Sequence, residues 1–225
     1  MICSVCGGTG FSLNTILWEQ LVRDWQLSPQ EEEYVNRQQG LSCDACGSNL
    51  RSIALAKAIL DSYSVRVTLR EFVQTDLADG LRVLEINPAG SLTRTLEGME
   101  QHRLVSYPDY DMTRLDIETS SVDLVIHSDT LEHIHDPVAG LTECRRILAE
   151  NGRCIFTVPV IVDRFSRSRR GLAPSFHGSE KDTQSDYLVH TEFGADVWKY
   201  ALQAGFASVT LHCIEYPAGL AIEAR

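Results

Sequence analysis

Apolar runs at residues 81–87, 103–107, 122–127 and 153–158 alternate with segments of helical period, the pattern of β–α–β units in a parallel sheet. The clearest unit spans 122–159. There VDLVIHS gives way to a polar turn, then to PVAGLTECRRILAENG with Leu141, Cys144, Ile147 and Leu148 on one stripe, then to RCIFTVPV. Pro137 suits a first helical turn because the N–H it lacks would be unpaired there, and Asn151-Gly152 supplies a stop. Strands buried on both faces lose strict alternation, as these two do. Ligands of such sheets sit beyond the carboxyl ends of the strands, which directs attention to His127-Ser128-Asp129 and Pro159-Val160.

The remaining pattern extends this core in both directions. LRVLEIN ends in an acid and the turn Pro88-Ala89-Gly90, with Ser91 placed to cap a helix over 92–100. PDYDMTRLD has room for at most a short third strand. A helix predicted over 192–204, stopped at Gly205, leads into strands at 208–213 and 219–223, whose short connection makes them antiparallel. Ahead of the sheet, 14–39 reads as two helices parted at Leu27-Ser28-Pro29, with Ser28 and Glu31 forming a capping box around Pro29. Ser48 or Asn49 starts a helix to about residue 62, apolar at Ile53, Leu55, Ala56, Ile59 and Leu60, and 65–78 is a further helical candidate. Leu17, Trp18, Leu21 and Trp25 offer an apolar surface that packs on the rest of the chain or meets a partner. We divide the chain into a module with its linking helix at 1–62 and a sheet domain at 63–225, with no flexible linker between them.

Composition narrows the function classes. A net charge of -11 over 225 residues argues against nucleic acid and anionic membranes as partners, and no run approaches the 18 apolar residues of a membrane span. Of the seven cysteines, Cys3, Cys6, Cys43 and Cys46 form two CxxC pairs, each followed by glycine. Four sulfurs with no open position describe a closed, structural zinc site; two disulfides or four buried thiols are the competing readings. Cys144, Cys154 and Cys213 fall in periodic elements and pack as small hydrophobes. This usage fits a reducing compartment, hence the cytoplasm.

From about residue 80 onward the chain resembles the class I S-adenosylmethionine-dependent methyltransferases, in particular the methyltransferase type 11 group. The segment VDLVIHSDTLEHIHDPVAGLTECRRILAENGRCIFTVPV carries most of that resemblance, and the cysteine pairs resemble an extension found on some bacterial members. The resemblance implies a Rossmann-like, seven-stranded, mostly parallel sheet with an antiparallel final strand, S-adenosylmethionine as cofactor, and in-line methyl transfer to a small-molecule acceptor. It also implies that Glu85, Asn87, Pro88 and Gly90 form the cofactor loop. The chain departs from the usual acid followed by G-x-G, keeping Glu85 and only the last glycine. Asp109, with Asp111 in reserve, is implied at the ribose; Asp116-Ile117 at the adenine; His127 and Ser128, with Glu132 and His133, at the end of strand four.

For a proton acceptor, His190 is favoured because a predicted helix start lies beside it, followed by His177 and His133. Arg164, Arg167, Arg169 and Arg170 form a basic cluster which, turned toward the cleft, suits a phosphate or carboxylate on an anionic acceptor. The altered loop leaves two other readings: a different reaction of the same cofactor, such as cyclisation or another group transfer, and a zinc-supported binding subunit without catalysis. Monomer and homodimer both remain open.

Overall fold

A computed structural model describes residues 1–176 and 185–225. In chain order the elements are β1 (Phe11–Leu13), α1 (Glu19–Trp25), α2 (Pro29–Gly40), β2 (Leu41–Cys43), α3 (Leu50–Ser62), α4 (Leu69–Phe72), α5 (Asp76–Asp79), β3 (Val83–Ile86), α6 (Thr93–Leu96) and β4 (His102–Val105). There follow β5 (Val122–Ser128), α7 (Pro137–Ile147), β6 (Leu148–Thr157), β7 (Val160–Ile161), β8 (Arg167–Ser168), β9 (Thr191–Gly194), α8 (Trp198–Gln203), β10 (Val209–Ile214) and β11 (Gly219–Ala224). Among the described residues no helix is long and apolar enough to cross a membrane.

The main sheet has the order β10-β11-β6-β5-β3-β4. The run from β6 to β4 is parallel, and β11 is antiparallel to both neighbours, as the short closing connection requires. Among the described residues the sheet has six strands, not the expected seven. Between β4 and β5 the described backbone makes turns, with only an isolated bridge from Asp111 to Arg114. Pro108, Asp109, Asp111 and Asp116 leave no run of β-formers there, and Met112 and Leu115 enter the core from turns instead.

The helix expected over 192–204 is also corrected. Residues 191–194 form β9, the centre of a second, three-stranded sheet in the order β7-β9-β8. All four residues of β9 are buried, with Phe193 set edge-on to Tyr200 at 5.2 Å. Helix follows only from Trp198. At Gly194 the backbone of a neighbouring segment passes so close that a Cβ would lie 2.1 Å from the carbonyl oxygen of Arg164. Gly194→Ala is therefore expected to cost about 3 kcal/mol, the upper range for overpacking, measured as a lowered urea midpoint.

Ahead of the sheet the capping chemistry acts as read. Ser28 Oγ accepts from the Glu31 N–H (3.3 Å) while the Ser28 N–H donates to Glu31 Oε2 (2.7 Å). Asn49 Oδ1 accepts from the Ser52 N–H at 2.9 Å and starts α3. The candidate over 65–78 is split into α4 and α5 because Thr68 and Thr75 each cap a new start. Ser91 caps nothing; a short 3-10 turn precedes α6.

α3 is buried along nearly its whole length. Its apolar side chains share one core with Cys3, Val5 and Cys43 on one side and with Ile126, Ile155 and Ala221 of the sheet on the other. The helix that follows the cysteine pairs is thus also the helix that covers the sheet.

Candidate functional site

β3 pairs with β4 on one edge and with β5 on the other, so the chain reverses its direction of progress across the sheet after β4. Such a reversal leaves a crevice beyond the carboxyl ends of the strands, since the two connections diverge to opposite faces. A cleft of ≈ 660 Å³ opens there. Asn87 and Pro88 after β3, Ser106 and Tyr107 after β4, and Asp129 and Thr130 after β5 form its rim.

Two non-glycine residues at this rim hold left-handed backbone, Asn87 (φ 56) and Asp129 (φ 49). Such conformations persist in side-chain-bearing residues only where the surroundings impose them. Asn87 shows how: its Oδ1 accepts from the Tyr107 N–H (3.0 Å) and its Nδ2 donates to Thr130 Oγ1 (3.3 Å). One side chain therefore ties the ends of three neighbouring strands. Behind it, buried Glu85 accepts from the Ala89 N–H and from Thr93 Oγ1, both at 2.6 Å, and its other oxygen lies 2.7 Å from His102 Nε2. Glu85 shapes the loop from behind. Gly90 (φ 59) packs toward α3, where an added Cβ would meet Ser52 Oγ at 3.2 Å.

The acids expected at the ribose and adenine separate in space. Asp111 lines the cleft, its Oδ1 accepting from the N–H and Oγ1 of Thr113 (2.8 and 2.7 Å), and the buried Met112 lies beside it. Asp109 and Asp116 are exposed away from that lining, and Ile117 packs partly into the core. The acid-then-apolar signal occurs twice within seven residues, at Asp111-Met112 and Asp116-Ile117, and only the first pair lines the cleft. His127 and Ser128 sit behind the rim. His127 is fully buried and stacked on Phe156 at 4.7 Å, and burial pushes its pKa down to about 3, so it is a neutral core residue. Ser128 exchanges a hydrogen bond with Thr157 at 2.8 Å.

At the far end of the cleft stand His133, His135, Asp186, Tyr187 and His190. His133 Nδ1 donates to the Leu188 carbonyl (3.0 Å), which fixes its ring. His190 is held through its backbone, its N–H donating to the Glu132 carbonyl (2.8 Å) and its carbonyl accepting from the Arg169 N–H (2.9 Å). Its ring lies 5.5 Å from that of His135. Burial first, then the neighbouring His135 and His133, lower its pKa and keep it neutral. It stands beside β9 and not beside a helix start. His177 lies outside the described residues.

Asp129 pairs with a residue that sequence reasoning did not single out. Arg51, on α3 and only 2% exposed, places Nη1 2.8 Å from Asp129 Oδ1. The Asp129 carboxyl is raised to about 6 because its surroundings strip water from it by more than Arg51 opposite compensates. The arginines of the 164–170 cluster do other work. Arg164 binds Glu31 (2.5 Å to Oε1) and the carbonyls of Trp25 and Gln26; Arg167 and Arg169 both bind the buried Glu192; Arg170 is exposed. The signal for Arg51 was its place in a helix whose other faces are apolar, a costly position for a guanidinium without a partner.

The four cysteine sulfurs of the CxxC pairs all lie within 4.8 Å of one another, with Cys3 to Cys46 and Cys6 to Cys43 both at 3.7 Å. A regular tetrahedron of thiolates around zinc has sulfur separations of about 3.8 Å, so the donor set fits. All seven cysteines are free, with no disulfide. The sequence thus provides a cysteine cluster able to coordinate a metal.

A family model described as a methyltransferase domain matches residues 46–156. A search of the curated proteins finds no match. Among solved structures the chain is similar to PigF with SAH, at 17% identity and a TM-score of 0.40, covering 68% of this chain and 53% of that one. It is also similar to 1,6-didemethyltoxoflavin-N1-methyltransferase from Burkholderia thailandensis (16% identity, TM-score 0.41, 70% and 76% covered). A third is an arsenic(III) S-adenosylmethionine methyltransferase from Chlamydomonas reinhardtii (15%, 0.42, 66% and 64%). The chain spans about half the length of the PigF structure. The strand order and the single reversed strand are those of the Rossmann-like fold typical of class I S-adenosylmethionine-dependent methyltransferases, in a six-stranded form.

Proposed function

We propose that the protein transfers a methyl group from S-adenosylmethionine to a small-molecule acceptor. The observation that carries this reading is the cleft at the strand-order reversal, bounded by the loops after β3, β4 and β5. Its chemistry suits the cofactor. Ile86, Met112 and Ile134 give an apolar bed, and the Asp111 carboxylate beside it can accept from an exocyclic amine. Asn87 and Pro88 bring backbone to the rim, with Asn87 already braced by Tyr107 and Thr130. Bound there, S-adenosylmethionine supplies a methyl group already activated on a sulfonium. The residues of this chain need only hold the acceptor in line with it, exclude water and receive a proton where the nucleophile carries one. We assign that proton to the His190 imidazole, which faces the cleft and is neutral at physiological pH. His133 orients its neighbours. The cysteine cluster holds zinc in a structural role, because four thiolates leave no position for a substrate.

Calorimetric titration of the zinc-loaded protein with S-adenosylmethionine and S-adenosylhomocysteine tests the reading. One-to-one binding of both is expected, weakened at least about tenfold by Asp111→Ala through loss of a charged hydrogen-bond acceptor. A folded, zinc-loaded protein that binds neither would overturn it.

A further inference from the structure

The main sheet ends on one side at β10, which pairs with β11 and, among the described residues, with nothing beyond it. Its pairing pattern shows which backbone groups are left over. Ser208 and Arg225 exchange both of their backbone hydrogen bonds (3.0 Å each way), so the residues that bond toward β11 are every second one, Thr210, His212 and Ile214. Val209, Leu211 and Cys213 therefore turn their N–H and C=O groups outward. Natural sheets blunt such an edge with Lys, Pro, a bulge or a very short strand. β10 has none of these: it is six residues long, runs in unbroken register, and its sequence VTLHCI carries no Lys, Arg, acid or Pro. The opposite edge, β4, is four residues long and bears Arg103. The side chains at the outward-bonding positions share one face. Val209 packs against the core that holds Ala201 and Phe206, whereas Leu211 is 49% exposed and Cys213 is exposed as well.

We propose that β10 pairs antiparallel with β10 of a second copy of this chain, joining two sheets into one about a two-fold axis at Leu211. An edge of this parity is complementary to itself in that register. Leu211 faces its own counterpart and Val209 faces Cys213, so every outward N–H and C=O of the strand is matched, with two hydrogen bonds to each pairing. Between them Thr210 faces His212, and no like charges stand opposite each other. His212 stays tied within its own copy to Glu223 (3.0 Å) and Asp61 (3.3 Å), on the face turned toward α3. With a net charge of -11, two copies repel over most of their surfaces, and the stretch 208–214 without acids or Lys and Arg is where they approach at least cost. The exposed Leu211 is covered by its counterpart at the axis. A foreign strand needs no such self-matching, which is what selects a second copy as the occupant. A single edge of this length lies at the small end of specific interfaces, which sets dissociation in the micromolar range, roughly 1–100 μM. β11 and β6 separate β10 from β5, so both clefts stay open in the dimer.

Sedimentation equilibrium of the zinc-loaded chain across micromolar concentrations tests the pairing, and a reversible monomer–dimer equilibrium is expected. Leu211→Pro removes the outward N–H at the axis and takes no bond from β11, because that N–H points the other way. Leu211→Lys sets two like charges against each other at the same place. Each should weaken the dimer at least about tenfold and leave the circular dichroism of the monomer unchanged, and Leu211→Lys decides the matter if Leu211→Pro does not fold. Val209→Cys reads the register. Mild oxidation of that variant with diamide should give a covalent dimer on a non-reducing gel, its disulfide joining position 209 of one copy to Cys213 of the other. The Cα atoms of a hydrogen-bonded pair lie about 5.5 Å apart, within the roughly 4.4–6.8 Å that disulfides span. A chain that stays monomeric throughout the micromolar range overturns the proposal. So does a dimer that neither substitution at Leu211 weakens, which lies on another face, and so does a Val209→Cys dimer that fails to crosslink, which excludes this register.

Discussion

Cys43→Ser is expected to lose the bound metal and about 5 kcal/mol of stability, lowering the melting temperature by roughly 10–20 °C. Cys43 is 1% exposed, its sulfur lies 3.7 Å from that of Cys6, and its backbone N–H is bonded to the Ser48 carbonyl at 2.9 Å. Structural zinc in small modules contributes on the order of 10–16 kcal/mol of apparent binding energy that is also folding energy, and removing one thiolate of four forfeits a large part of it. The loss does not stay local. Cys3, Val5 and Cys43 belong to the same core as Ile53, Ile126 and Ile155, so an unravelled cysteine loop uncovers α3 and the sheet face beneath it. Metal analysis together with calorimetric melting reads both effects. A variant that keeps one equivalent of zinc and an unshifted transition would remove the cluster from the fold's energetics, and chelation of the unaltered protein should reproduce the variant.

The second large effect falls on turnover. His190→Gln is expected to reduce kcat by about 10²–10⁴, the usual contribution of a positioned proton acceptor, while S-adenosylhomocysteine affinity stays within about twofold. Glutamine keeps a polar group in the cleft but takes up no proton. The pH dependence has a defined sign. Burial and the nearby His135 and His133 disfavour the imidazolium at His190, so the neutral ring persists to lower pH than an ordinary imidazole near 6.5. Activity against a hydroxyl or amine acceptor should hold as pH falls through 6.5 and decline only below it, and the acid limb should vanish in the variant. A limb that survives in His190→Gln would move the proton to another group, with Asp129 next in line because it faces the same cleft.

Much of the fold was legible because it rests on local chemistry. The capping box at Ser28 and Glu31, the cap at Asn49 and the apolar runs of β3, β5 and β6 are written in residues a few positions apart. The missed features depend on contacts across long stretches of chain. Nothing near residue 194 announces that the Arg164 carbonyl will pass within reach of its Cβ position, yet that approach belongs to β9, the strand lying between β7 and β8 where a helix was expected. The 164–170 arginines read as an anion site because their partners Glu31 and Glu192 lie 133 and about two dozen positions away. Of the site, the strand ends were read from the sheet pattern and the loop from Glu85 to Gly90 was implied by the family resemblance; Asn87 and Pro88 of that loop line the cleft. Asp109 was preferred to Asp111 for the ribose and Asp116 was given to the adenine, yet of the three only Asp111 lines the cleft, a placement that no local pattern announces.

α3 carries a consequence for anyone who would dissect the chain. Its inner face covers Ile126, Ile155 and Ala221, and its first turn holds Arg51 against Asp129. A fragment starting after residue 62 would bare an apolar sheet face to water and leave a half-buried carboxylate with no cation opposite it. Such a fragment should collect in the insoluble fraction during expression, and a tag or fusion partner belongs ahead of the first cysteine pair or behind Arg225, never between the second pair and β3.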